Sequence, residues 1–399
     1  MASIVDYART ARDTFTDRPL TRVDALCLAW LAYLRLPVEL GVTNRAGVRL
    51  ADLSEDWLRA SLLASLRNAG RSWELLEAMS ESPRFRNVRA CLYVSESDES
   101  AGMQFSATTY VLPDNAGSVV AYRGTDDTVL GWKENVRLAC DEAIPAQRRA
   151  ATYLEDSAGE LGGRFWVCGH SKGGALATYA CGMAPDDVRT QVGVCWSFDG
   201  PGLAPELMST PSWHGDAPFC KLVPRGSLVG MLFERSQDAM VVVRSSADDV
   251  HQHHPLTWEV LGNDFVLEHG VDYDAWRLSQ RLNDWLEEMG PQQRAEFAEL
   301  LCWLMDATGE TSFSDLLRRW SSNSQGMRAA LSNAPQADQD LFARAMDDLV
   351  ATVLLGSRQE LRPRDDTPQA HAGYAARKVE DATARVNDRL SKIDRLTGR

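Results

Sequence analysis

Between Val88 and Ser246 the chain alternates short apolar runs with longer stretches of helical spacing. The runs VRACLYV, SATTYVL, GSVVAYRG, RFWVCG, QVGVCWSF, FCKLVP and AMVVVRSS are rich in β-branched and aromatic residues. Strands separated by helical patterns of roughly ten to fifteen residues predict crossover units, hence an α/β fold with a mainly parallel sheet flanked by helices. Upstream, TRVDALCLAWLAYLRL predicts an amphipathic helix capped by Thr21, with Asp24 three residues on. From about Asp272 the strand signal stops. YDAWRLSQRLNDWLEEM, then Pro291 at a first turn before QQRAEFAELLCWLMDAT, then SFSDLLRRW and QDLFARAMDDLVATVLL place apolar residues three and four apart, as a packed helical face requires. The expected organisation is an α/β domain over 1–271, a helical appendage over 272–356, and a charged linker with a terminal helix over 357–399. In that last stretch Val379, Val386 and Ile393 recur seven apart, too few heptads to establish a coiled coil.

Composition narrows the partners. A net charge of −14 argues against a nucleic-acid surface, which needs clustered Lys and Arg to displace counterions. The longest uncharged apolar run, ALCLAWLAYL, has ten residues, about half of what a bilayer-crossing helix needs. The opening residues MASIVDYARTARD carry no basic start followed by an apolar run, so no secretory leader is expected. Eight cysteines at 27, 91, 140, 168, 181, 195, 220 and 302 form no C-x-x-C pair, and several lie within apolar runs. A reduced, cytoplasmic setting is the expectation.

The chemistry centres on FWVCGHSKGGALATYA, from Phe165 to Ala180. A bare G-x-S-x-G arises by chance in roughly one chain in ten of this length. Here the serine, Ser171, sits between a strand-like run and a helix opened by Gly173, Gly174, Ala175 and Ala177. That is the setting of a nucleophile elbow, a strained strand-to-helix turn whose neighbours must be small. The helix start then offers N–H groups to a developing oxyanion. A serine nucleophile needs a base, which in the order Ser, acid, His follows the last strand. His251, His253 and His254 all lie there. Three histidines also admit a metal-site reading, weakly specified without carboxylates or thiols in register.

These segments resemble the class 3 lipases: GHSKGGALA is similar to that family's elbow, and VVAYRGTDDTVLGWKEN to its strand, Arg-Gly-Thr and Trp segment. FDGPGL, KLVPRGSLVGML and QHHPLTWEV resemble an uncharacterised bacterial branch of class-3-lipase-like α/β hydrolases. The likeness spans roughly Thr21 to Leu267. It implies an α/β-hydrolase-like sheet, Thr125 and the Lys172 N–H as oxyanion donors, and His253 as the base, with the adjacent His254 as the alternative. The family's acid falls on Ser227, which cannot serve, so Asp199 after QVGVCWSF is the substitute, unless it is a turn residue or the site is a dyad. Two departures stand out. Lys172 replaces a leucine, as a solvated or surface-paired cation or as a recogniser of anionic substrate. Asn135 replaces the acid of W-x-x-D, at the expected loss of a buried ion pair. The resulting expectation is a serine esterase or lipase acting through an acyl-enzyme on a small-molecule or lipid ester, with no metal or organic cofactor. The other class of reading is a pseudo-hydrolase scaffold that binds a protein partner through the C-terminal helices.

Overall fold

The central β-branched and aromatic runs become strands because they can bury both of their faces between helices. The structure is a computed structural model that describes residues 2–349 apart from 65, 67–68, 139–142 and 238–239. Eight strands form one sheet in sequence order: β1 (Val48–Arg49), β2 (Arg89–Asp98), β3 (Met103–Val111), β4 (Ser118–Tyr122), β5 (Phe165–His170), β6 (Val192–Phe198), β7 (Phe219–Pro224) and β8 (Met240–Val243). β1 to β4 pair antiparallel, and β4 to β8 pair parallel through crossovers. β1 had no signal in the hydrophobic pattern; two residues are too few to show a period.

Alternation along β4 sends Val119 and Ala121 to one face and Val120 and Tyr122 to the other. The first face is covered by the helix Arg22–Leu31, whose Leu26 and Leu28 are buried against it. Thr21 caps that helix reciprocally with Asp24, as predicted, and Asp24 also receives Tyr7 and the buried guanidinium of Arg84. The second face carries the helices Pro145–Leu161 and Lys172–Met183. Both faces of β5 are therefore dry, which explains its unbroken apolar run.

The parallel register aligns the strand ends, Tyr122 beside Gly169, His170 beside Phe198, Phe198 beside Leu222, and Pro224 beside Val243. Loops carrying Thr125, Ser171, Asp199, Ser227 and His253 thus leave the same edge of the sheet, where α/β folds place their ligands.

Beyond the sheet the chain is helical. Tyr273–Asp306 is broken at Gly290 (φ 71°, ψ 161°), and Pro291 opens its second half as expected. Phe313–Arg318, Trp320–Asn333 and Gln336–Leu349 follow. Trp320–Asn333 was not legible, because its polar, glycine-containing sequence carries little apolar periodicity. The linker and terminal helix expected at 357–399 lie outside the described residues. Among the described residues no helix is long and apolar enough to cross a membrane.

Candidate active site

Ser171 stands between β5 and the helix Lys172–Met183 at φ 58°, ψ −129°. A non-glycine residue in that region costs about 1–3 kcal/mol and persists only where its surroundings hold it. Here its N–H donates to Phe198 O at 2.9 Å, and its own carbonyl accepts from Gly174 N at 2.8 Å. The flanking glycines are required by space. A Cβ on Gly169 would lie 2.1 Å from Gly173 O, and one on Gly173 would lie 2.2 Å from Tyr122 O. The turn thus has the strain and the small neighbours that a nucleophile elbow requires, with Ser171 at a helix N-terminus.

At the next strand end, Asp199 is fully buried and also takes a positive φ, 48°. Its Oδ2 lies 2.6 Å from Nδ1 of His253, and its Oδ1 accepts from Ser227 Oγ at 2.5 Å. The serine where the lipase resemblance places an acid therefore supports the carboxylate that the preceding strand supplies. His253 is partly exposed, and its Nδ1–H donated to Asp199 leaves Nε2 as the basic nitrogen. His254 turns elsewhere: its ring packs 4.7 Å from Trp30, its Nδ1 accepts from Leu256 N, and burial lowers its pKa from 6.5 to about 4. His251 is exposed. Among the described residues there is no cluster of metal-ligating side chains.

The loop after β4 is Gly124 to Thr128. Thr125 Oγ1 donates to Asn135 Oδ1 at 2.6 Å, which fixes the side chain and holds the loop beside the helix Val129–Leu138. Neither the Thr125 N–H nor the Lys172 N–H meets a hydrogen-bond acceptor among the described residues. The Lys172 side chain corrects an expectation. It is buried rather than solvated, and its ammonium donates to Glu134 and to Gln104 O. Its charge is consumed inside the protein and does not face a substrate. Nor is a buried ion pair lost at Asn135, because Glu134, one residue earlier, forms it.

The sequence pattern of the Mbeg1-like family matches residues 79–302, more than half of the chain. The chain belongs to the Mbeg1-like family. That family is class 3 lipase-like, so the relationship to lipase-like hydrolases holds at this coarse level. The match runs through the sheet and on into the helix Tyr273–Asp306, past 271, where the strand pattern of the sequence ends. Among solved structures, the chain is similar to the native propeptide complex of Rhizomucor miehei lipase, at 12% identity over 47% of this chain and 71% of that one, with a TM-score of 0.30. No curated protein matches it.

One feature of this Mbeg1-like site escaped the sequence reading. His170, directly before Ser171, donates from Nε2 to His253 O at 2.8 Å, while its Nδ1 accepts from Tyr33 O–H at 3.0 Å. Burial, reinforced by the neighbouring His253, drives its pKa well below the ordinary value, so it is the neutral ring that forms these bonds. A link thus runs from the residue beside Ser171 to the backbone of the loop carrying His253, and the two rings lie 4.6 Å apart. The histidine was visible in GHSKGG, but nothing along the sequence marks its partner 83 positions away.

Proposed function

We propose that the protein is a serine hydrolase that cleaves a carboxylic ester through an acyl-enzyme. The observation carrying this reading is the 2.6 Å contact between His253 Nδ1 and the buried Asp199 carboxylate, at the strand ends beside a strained Ser171. Ser171 Oγ attacks the acyl carbon as its proton passes to His253 Nε2, and Asp199 stabilises the imidazolium and holds its tautomer. The negative charge forming on the carbonyl oxygen is met by the N–H groups of Thr125 and Lys172, with the positive end of the helix Lys172–Met183 behind them. The imidazolium returns the proton to the departing alkoxide, which leaves as the alcohol. Water then loses a proton to His253, attacks the acyl-serine, and releases the carboxylic acid with Ser171 restored. No step draws on a metal or an organic cofactor.

A chromogenic short-chain ester tests this reading. Ser171→Ala should lower kcat by about four orders of magnitude or more. Hydrolysis undiminished in Ser171→Ala would remove the assignment. A scaffold role had two motives, the serine at 227 and a helical third without a catalytic part; the bond from Ser227 to Asp199 speaks against the first.

A further inference from the structure

The oxyanion loop is held from two sides, and one side belongs to the C-terminal helices. On the sheet side, Asp126 Oδ1 accepts from Gln104 Nε2 and from the N–H and hydroxyl of Thr128. On the other side, the turn between the helices Tyr273–Asp306 and Phe313–Arg318 runs alongside the loop like a short antiparallel strand. Val129 N donates to Thr311 O at 2.9 Å, Phe313 N donates to Asp127 O at 2.8 Å, and Thr128 bridges Ser312 between them. Asp127 turns its carboxylate onto the same turn: Oδ2 accepts from Ser312 Oγ at 2.7 Å, and Oδ1 accepts from Ser314 Oγ at 2.7 Å and Ser314 N at 3.2 Å. Behind these bonds Phe313 stacks on Trp132, centroids 4.0 Å apart at 13°, and Val129 packs with Met305 and Leu316.

The helices are fixed at a second point of the same edge. Asn283 is fully buried and donates to Met231 O and Glu234 O, while accepting from Phe233 N. That segment begins at Ser227, the hydroxyl that donates to Asp199. The appendage thus closes an extended turn on the loop that carries Thr125.

We infer that Asp127 is a positioning residue, and that the turn Thr311–Ser314 of the helical appendage braces the oxyanion loop through it. This rests on the hydrolase reading above. A brace acts on the transition state more than on the bound ester: the oxyanion donors tighten on charge that appears only as the tetrahedral intermediate forms. Loss of the brace should therefore lower kcat and leave KM nearly unmoved.

The experiment uses the full chain and compares Asp127→Ala, Asp127→Asn, the pair Ser312→Ala/Ser314→Ala, and their combination. Kinetics are read on a chromogenic ester, with the rate at which a fluorophosphonate labels Ser171. Asp127→Ala should lose about ten- to a hundredfold in kcat and in labelling rate, with KM within about threefold. Asp127→Asn, which keeps an acceptor of the same shape, should recover part of the loss. The serine pair should reproduce the effect, and the combination should be no worse than Asp127→Ala, as expected for residues acting through one contact. Glu299→Gln, which cuts an exposed ion pair between the same helices and Arg137, should leave activity unchanged. Should Asp127→Ala fold poorly, the serine pair and Asp127→Asn carry the test. Wild-type kcat and labelling in these variants would overturn the brace, as would a loss confined to KM or fully additive losses. Wild-type protein that takes no label on Ser171 would instead sink the hydrolase reading itself.

Discussion

Glu134 and Lys172 offer a quantitative test of how the helix Lys172–Met183 is anchored. Both side chains are sealed from solvent, 0% and 1% exposed, and among the described residues the ammonium's acceptors are Glu134 and one backbone carbonyl. Glu134→Leu leaves that ammonium buried without its counter-charge. Lys172→Met leaves the carboxylate, among the described residues, with a 3.4 Å contact to Gln104 N. Breaking a buried pair from one side typically costs about 3–5 kcal/mol, because the remaining ion stays desolvated. At about 2–4 °C per kcal/mol for a domain of 150–250 residues, each variant should melt roughly 6–20 °C below wild type. Replacing both partners with apolar residues, Lys172→Met/Glu134→Leu, removes the stranded charge and should recover most of the loss. Urea unfolding of the four proteins yields the coupling, expected at more than about 2 kcal/mol. Single variants within about 1 kcal/mol of wild type, with additive losses in the double variant, would refute the buried pair. The same proteins test whether the lysine reads substrate: the ratio of rates on an anionic and a neutral ester should be the same in the double variant as in wild type.

Three further outcomes follow from the geometry. Gly173→Ala places a methyl 2.2 Å from Tyr122 O, so the helix must lift from the sheet; stability should fall by more than about 2 kcal/mol, read by thermal melting, with labelling of Ser171 lost. Asp199→Asn should lower kcat by about 10⁴ without unfolding the protein, since the amide no longer fixes the His253 tautomer; an ester assay beside a circular dichroism melt checks both halves. His254 is held neutral by burial, its pKa lowered from 6.5 to about 4, so above pH 6.5 folded and unfolded chains bind equal protons there. As pH falls from 6.5 toward 4 the unfolded chain takes up the proton first, and stability is lost across that window. His170, also depressed, adds in the same direction. His254→Asn should flatten the pH dependence of the melting temperature over that range.

What was legible in the sequence was what leaves a local trace. β5 reads as a strand because it is buried on both faces, and the elbow reads as an elbow because Gly169, Gly173 and Gly174 are forced by approaches under 2.6 Å. Asp199 could be singled out because a carboxylate at a strand end is a local feature. The resemblance favoured His253 over His254, but the residues themselves did not show which ring meets Asp199 and which meets Trp30. The partnering of Lys172 with Glu134, 38 positions apart, and of Asp127 with Ser312, 185 apart, was equally hidden. Polar pairs formed by long-range closure impose no period and no spacing. For that reason the helical third read as an appendage, although its turn Thr311–Ser314 lies against the loop that carries Thr125.

The most direct test of the central claim is labelling of the purified full-length protein with a fluorophosphonate, located by peptide mass spectrometry. A single adduct on Ser171, formed at least about a hundredfold more slowly in His253→Ala, is the predicted result. Wild-type protein that stays unmodified at Ser171, or labels there at the same rate without His253, would contradict it.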